Sequence, residues 1–141
     1  MSIIHGSMGL IYFVHEWQPE FNESALLSDP NMLTAVTAIN RQVRELAPVL
    51  NSPTVPDGAT VVSPQVPVAV MVKRHEGATY LFAVAMREGQ AQVRFTVQGL
   101  SGSQAVEVLG ESRTLNSNDG AFEDSFRLWS VHLYRIGAKM G

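Results

Sequence analysis

Within residues 12–17 the chain sets Tyr12, His15, Glu16 and Trp17: a phenol, an imidazole, a carboxylate and an indole. Such a set can hold a sugar, because the apolar faces of the ring stack on aromatic side chains and the hydroxyls bond to polar groups. The bland reading is a core tyrosine, a tryptophan covering a loop and a solvated glutamate, and the sequence leaves both open. Glu16 could also join Glu20 or Glu23 as the pair of acids that glycoside hydrolysis needs. All three lie in one loop, whereas such acids must face each other across the bond. No catalytic residue is assigned.

The remaining reactive side chains form no constellation. His5, His15, His75 and His132 show neither His-x-His nor His-x₃-His spacing, and the chain has no cysteine. No metal site and no cofactor are expected. Gly6 and Gly9 precede a strand-like run rather than a helix, so they do not make a phosphate loop. Neither Ser7 nor Ser101 stands in a Gly-x-Ser-x-Gly elbow. Glu123 and Asp124 alternate with Phe122 and Phe126, as the solvated face of a strand would. His132 falls between Val131 and Leu133, which turns it outward or toward a polar neighbour. Trp129 and Tyr134 read either as a sugar-stacking platform or as the rim of a core.

Two kinds of element must position these residues. Leu10-Ile11-Tyr12-Phe13-Val14 is a continuous apolar run, the pattern of a strand covered on both faces in a parallel sheet. The residues after it would then occupy the C-terminal end of that strand. A helix follows the loop, with Asp29 as N-cap, Pro30 at its first position and Pro48 as its stop. Met32, Leu33, Val36, Ile39, Val43, Leu46 and Ala47 recur at three- and four-residue steps and make one apolar stripe. One strand and one helix cannot make a parallel sheet. Residues 1–50 read as a strand-loop-helix unit left from a β/α barrel; the alternative is a small domain in which the helix packs on the β module that follows.

Residues 51–65 read as a proline-rich connector. Beyond it Val66–Val72, Thr79–Met86 and Val93–Val97 are strand-length apolar runs broken at His75-Glu76-Gly77 and Arg87-Glu88-Gly89. Further runs at Gln104–Leu109, Ser112–Leu115, Ala121–Phe126 and Val131–Ile136 continue the pattern. The expected fold is mainly β: an antiparallel β-sandwich of about seven strands over residues 66–136, preceded by one strand and one amphipathic helix.

The chain of 141 residues is 45% hydrophobic and 16% charged, which is the composition of a packed domain. No apolar run approaches the ~20 residues of a bilayer span, and the first residues lack the basic region of a signal peptide. The net charge of −3 falls in residues 1–50, and the remainder is balanced. A nucleic-acid partner, which needs a basic field, is not expected, and neither is a membrane. The compartment stays open.

The segment His5-Gly6-Ser7-Met8-Gly9-Leu10-Ile11-Tyr12-Phe13-Val14-His15 resembles the final barrel strand of clan A-type glycoside hydrolases. Asp29-Pro30 through Asn40-Arg41 to Leu46–Asn51 is similar to the helix that closes such a barrel. Val108–Arg113, Gly120–Phe126 and Val131–Ile136 resemble the small β-sandwich carried behind it. The resemblance implies that the acid/base and nucleophile belong to earlier barrel strands, so this chain would be a non-catalytic C-terminal part supporting the barrel. Tyr12, His15 and Trp17 match positions that could line a sugar site; Glu16 has no assigned counterpart. The implied partners are carbohydrate and the rest of the barrel. The alternatives are a free-standing carbohydrate-binding module and a module that self-associates through its helix stripe.

Overall fold

The computed structural model describes residues 1–137. The chain divides into two compact units: residues 8–48, and residues 1–7 together with the chain from Val49 onward.

In the larger unit the alternating sequence forms eight antiparallel strands among the described residues. They are β1 (Ala59–Val62), β2 (Val68–His75), β3 (Ala78–Ala85), β4 (Gln90–Val97), β5 (Ser103–Val108), β6 (Arg113–Asn118), β7 (Ala121–Arg127) and β8 (Val131–Gly137). Their order in one sheet is β1-β4-β7-β6-β5-β8-β3-β2. The two end strands approach each other. Thr54, just before β1, bridges to Lys73 of β2, and the Val55 N–H donates to Val72 O at 2.9 Å. The sheet is thus a nearly closed barrel and not the two-sheet sandwich that the strand spacing suggests.

The physical reason lies at one corner. β6 and β7 share a single residue pair, Asn118↔Ala121, around the turn Asp119-Gly120, and then diverge. Without that pair, β1-β4-β7 and β6-β5-β8-β3-β2 would be two sheets. Strand periodicity reports which face is buried and is silent on whether two edges meet. β1 is a second departure, because it draws part of the proline-rich stretch into the sheet.

The barrel interior is one apolar cluster. Leu81, Val93, Phe95, Val106, Val108, Phe122, Phe126, Tyr134 and Ile136 are all buried in it. Phe95 packs against Phe122, Phe126 and Tyr134 at ring-centroid distances of 5.2, 5.9 and 5.6 Å. β3 is buried along nearly its whole length, on both faces. On the outer face of the β2–β3 pair, Lys73 is buried and donates Nζ to Ser52 O at 2.6 Å.

The smaller unit holds α1 (Ala25–Ser28) and α2 (Pro30–Glu45); a further turn, α3 (Ala47–Leu50), follows. The α2 start is as the sequence indicates: Asp29 Oδ1 accepts from the N–H groups of Asn31 and Met32, and Pro30 occupies the first turn. The expected strand Leu10–Val14 is not formed. A strand satisfies its backbone only through neighbours, and the Leu26 N–H donating to Val14 O at 3.3 Å makes no ladder with it. Ile11 is 99% exposed, and no residue of 8–48 is buried, the α2 stripe included.

Gly120, at the corner, has φ +76°, and a β-carbon there would lie 2.4 Å from Val97 O. Gly102, at φ +65°, has open space around it. Both Gly→Ala changes carry the left-handed penalty of roughly 1 kcal/mol. Gly120→Ala must also shift the backbone, so thermal unfolding should show it as the more destabilised variant by at least about 1 kcal/mol.

Candidate functional site

The side chains singled out in residues 12–17 do not converge. The Tyr12 hydroxyl donates to Asn40 Oδ1 on α2 at 2.9 Å. Glu16 takes part through its backbone, exchanging two 2.9 Å hydrogen bonds with Asn22. That bridge folds the loop back and brings Phe21 between His15 and Trp17. His15 stacks on Phe21 (centroids 5.7 Å apart, planes 13° apart), and Trp17 tilts against it at 4.9 Å. Phe13 tilts against His15 at 5.2 Å. The result is a row of four rings, with Trp17 68% exposed. Phe21 is the member that sequence reasoning passed over. The signal for it was the spacing of Trp17 and Phe21 across a short loop.

A polar cluster stands inside one end of the barrel, where β6 and β7 have parted. Asp124 was expected on a solvated face; it points inward with Phe122 and Phe126 and is buried. Its carboxylate accepts both prongs of the Arg113 guanidinium, at 2.8 and 2.7 Å, and the Tyr134 hydroxyl at 2.8 Å. The Ser125 N–H adds a further bond at 2.8 Å. Arg113 Nε donates to Glu111 at 2.8 Å, and Glu111 accepts from His132 Nδ1 at 2.5 Å. Arg113 Nη2 also lies 3.3 Å from His132 Nδ1, so the Glu111 contact is the shorter of the two at that nitrogen. His132 Nε2 is buried and has no hydrogen-bond partner among the described residues. The ring meets Phe126 edge to face at 4.6 Å.

The electrostatics follow from that geometry. Burial alone would raise the Asp124 pKa, but the bonds from Arg113, Tyr134 and the Ser125 N–H outweigh it and hold the carboxyl below its usual value. Burial likewise opposes the His132 and Arg113 bonds at Glu111, with the same net direction. The hydrogen bond to Asp124 raises the Arg113 pKa. Burial, with Asp124 beside it, raises that of Tyr134, which keeps the phenol protonated as a donor. Each carboxylate in the cluster is held by at least two donors. The arrangement is one of cohesion, tying β6, β7 and β8 together, rather than of a poised acid or base. Of the two aromatics read as a platform, Tyr134 belongs to this interior and Trp129 stays outside.

A second feature of the larger unit is the turn from β7 to β8, Arg127-Leu128-Trp129-Ser130. It is closed by the Ser130 N–H donating to Arg127 O at 2.7 Å and by the Ser130 hydroxyl, which receives the Arg127 N–H at 2.8 Å. Leu128 and Trp129 have φ of 22° and 61°. Turns with positive φ at both central positions are dominated by Gly, Asn and Asp, and side chains as large as these cost about 1–2 kcal/mol each there. Burial does not offset the cost: Leu128 is 70% and Trp129 49% exposed. Arg127, the first residue of the turn, also lines a shallow cleft of about 180 Å³ together with Gln65, Gln90, Gln92 and Ser125.

Asp124→Ala should leave Arg113 and Tyr134 without their acceptor and cost about 3 kcal/mol in chemical denaturation. The pH dependence has a fixed sign. Both carboxyls titrate lower in the folded state, so their stabilisation is complete above the unfolded values of roughly 4 and is lost as pH falls through the folded ones. The contribution of these two carboxyls should be constant above about pH 5 and stability should fall steeply below roughly pH 4, with a shallower fall in Asp124→Asn.

No protein-family model matches this chain, and comparison with curated proteins finds no similar sequence.

Proposed function

We propose that this chain serves as a non-catalytic, ancillary part of a carbohydrate-active glycoside hydrolase, in which the β unit supports a β/α barrel and residues 8–48 belong to that barrel. The observation that carries the reading is the contrast between the two units. The β unit buries a complete core, and the carboxylates of its ionisable cluster are hydrogen-bonded within it. Residues 8–48 fully bury no side chain: Val14, Leu26, Val36, Val43 and Leu46 are half-buried, and Leu10, Ile11, Phe13, Trp17, Phe21, Met32, Leu33 and Ile39 are exposed. Each large apolar side chain left in water forgoes about 1.5–3 kcal/mol. An apolar run that joins no sheet ladder, followed by a capped amphipathic helix, is completed by strands on either side and by neighbouring helices. The resemblance of the same residues to a final barrel strand and its closing helix supplies the enzyme class.

Hydrogen exchange and turnover test the proposal together. In the isolated chain the amides of Leu10–Val14 should exchange within seconds, while those of β3 and β8 are strongly protected. Aryl-glycosides and polysaccharides should show no turnover. Cooperative protection of Leu10–Val14 in the lone monomer would sink the proposal, as would hydrolysis abolished by Glu16→Gln.

A further inference from the structure

We propose that the Arg127–Ser130 turn and the cleft beside it form a binding site for a neutral oligosaccharide. This rests on, and deepens, the ancillary role inferred above. Two observations point to it independently. The first is the turn itself, where Leu128 and Trp129 occupy left-handed backbone conformations yet remain exposed. The Ser130 hydroxyl and the hairpin ladder hold this backbone in place, but no burial of Leu128 or Trp129 offsets its cost, and such outliers cluster at contact surfaces. The turn is also pinned, because the Leu128 N–H donates to Gly89 O at 3.0 Å and Ser130 O accepts from the Ala85 N–H at 2.9 Å. An indole is thus held out on a fixed backbone.

The second observation is the chemistry of the cleft. Gln90 and Gln92 of β4 face Arg127 and Ser125 of β7 in register, and Gln65 completes the wall. Ser125 Oγ donates to Gln92 Oε1 at 2.8 Å, which orients that amide and leaves its N–H donors outward. Gln65 is held from behind by Arg87, whose Nη2 donates to its carbonyl oxygen at 2.6 Å. Among the described residues the Arg127 guanidinium has no ion-pair partner, and no carboxylate lines the cleft. Planar amides and one guanidinium fork offer paired donors and acceptors at the spacing of neighbouring hydroxyls. Trp129, two residues beyond Arg127 of the cleft wall, is exposed and supplies an apolar stacking face. Hydroxyl-rich rings with one apolar face meet both requirements, and with three glutamines against one arginine most of the polar contacts offered are to uncharged groups.

Nitrogen-15 NMR titration of the full chain with cellohexaose, xylohexaose, laminarihexaose and mannohexaose provides the test, with tetragalacturonate as the anionic comparison. At least one neutral hexasaccharide should shift the Trp129 indole N–H and the Gln90 and Gln92 side-chain amides at millimolar concentration. Trp129→Ala should weaken binding about tenfold or more, and Gln92→Ala several-fold. The double change Leu128→Asn with Trp129→Gly should abolish binding and raise the Tm by about 4 °C, since those residues suit the turn. Silence from all four neutral sugars would overturn the site, as would binding of tetragalacturonate alone or affinity indifferent to Trp129→Ala. A lower Tm in the double variant, or a dimer that dissociates in Trp129→Ala, would assign the two residues to folding or self-association instead. Those failures would remove the site and leave the ancillary role standing, because the latter depends on the exchange behaviour of Leu10–Val14.

Discussion

The Asp124 carboxylate is the contact on which the β unit turns. A barrel made from eight short strands must join β7 to β6, and the backbone does so at a single residue pair. Beyond that corner the strands part and the hydrogen-bond ladder is lost. Asp124 takes over there, bound by the Arg113 fork from β6 and the Tyr134 hydroxyl from β8. A buried carboxylate without those donors would be costly, and the donors without it would be equally unsatisfied. Glu111 and His132 extend the balance toward the barrel mouth. The packing of Phe95 on Phe122, Phe126 and Tyr134 depends on β7 and β8 being held at that separation.

Local signals in the sequence were legible where a local rule governs. The runs beginning at Val66, Thr79 and Val93 became β2, β3 and β4, because their alternation and glycine breaks match a pleated strand and its turns. The α2 start was legible in Asp29-Pro30 for the same reason. What depended on distant partners was not. Leu10–Val14 has the composition of a covered strand, but composition cannot provide the neighbours that make one. Asp124 between two phenylalanines reads as a polar residue facing water only if its two-residue period is ignored. Phe122 and Phe126 face the core, so Asp124, two positions from each, faces it as well. Its partner Arg113 lies eleven residues earlier across a turn, a relation no local pattern reveals.

The two units also differ in how they treat their aromatic side chains. The barrel spends Phe95, Phe122, Phe126 and Tyr134 on cohesion. Residues 8–48 keep Phe13, Trp17 and Phe21 largely in solvent, in a row joined through His15. Trp129 belongs to the barrel unit by connectivity but resembles the second group by exposure. The aromatics available to a ligand or partner are therefore those that contribute least to the stability of the fold that carries them.

The strand order has a consequence for how the protein is made. β8, the latest of the eight strands in sequence, lies between β3 and β5. Until it leaves the ribosome, the β2–β3 and β5–β6 hairpins each hold an open edge toward a partner that does not yet exist, and Asp124 still lacks Tyr134. Nascent chains on neighbouring ribosomes could offer one another the same unpaired edges. Final assembly is a single late insertion that pairs two edges and completes the buried ionic cluster in one step, so the speed of that insertion sets how long the nascent protein is open to misassembly.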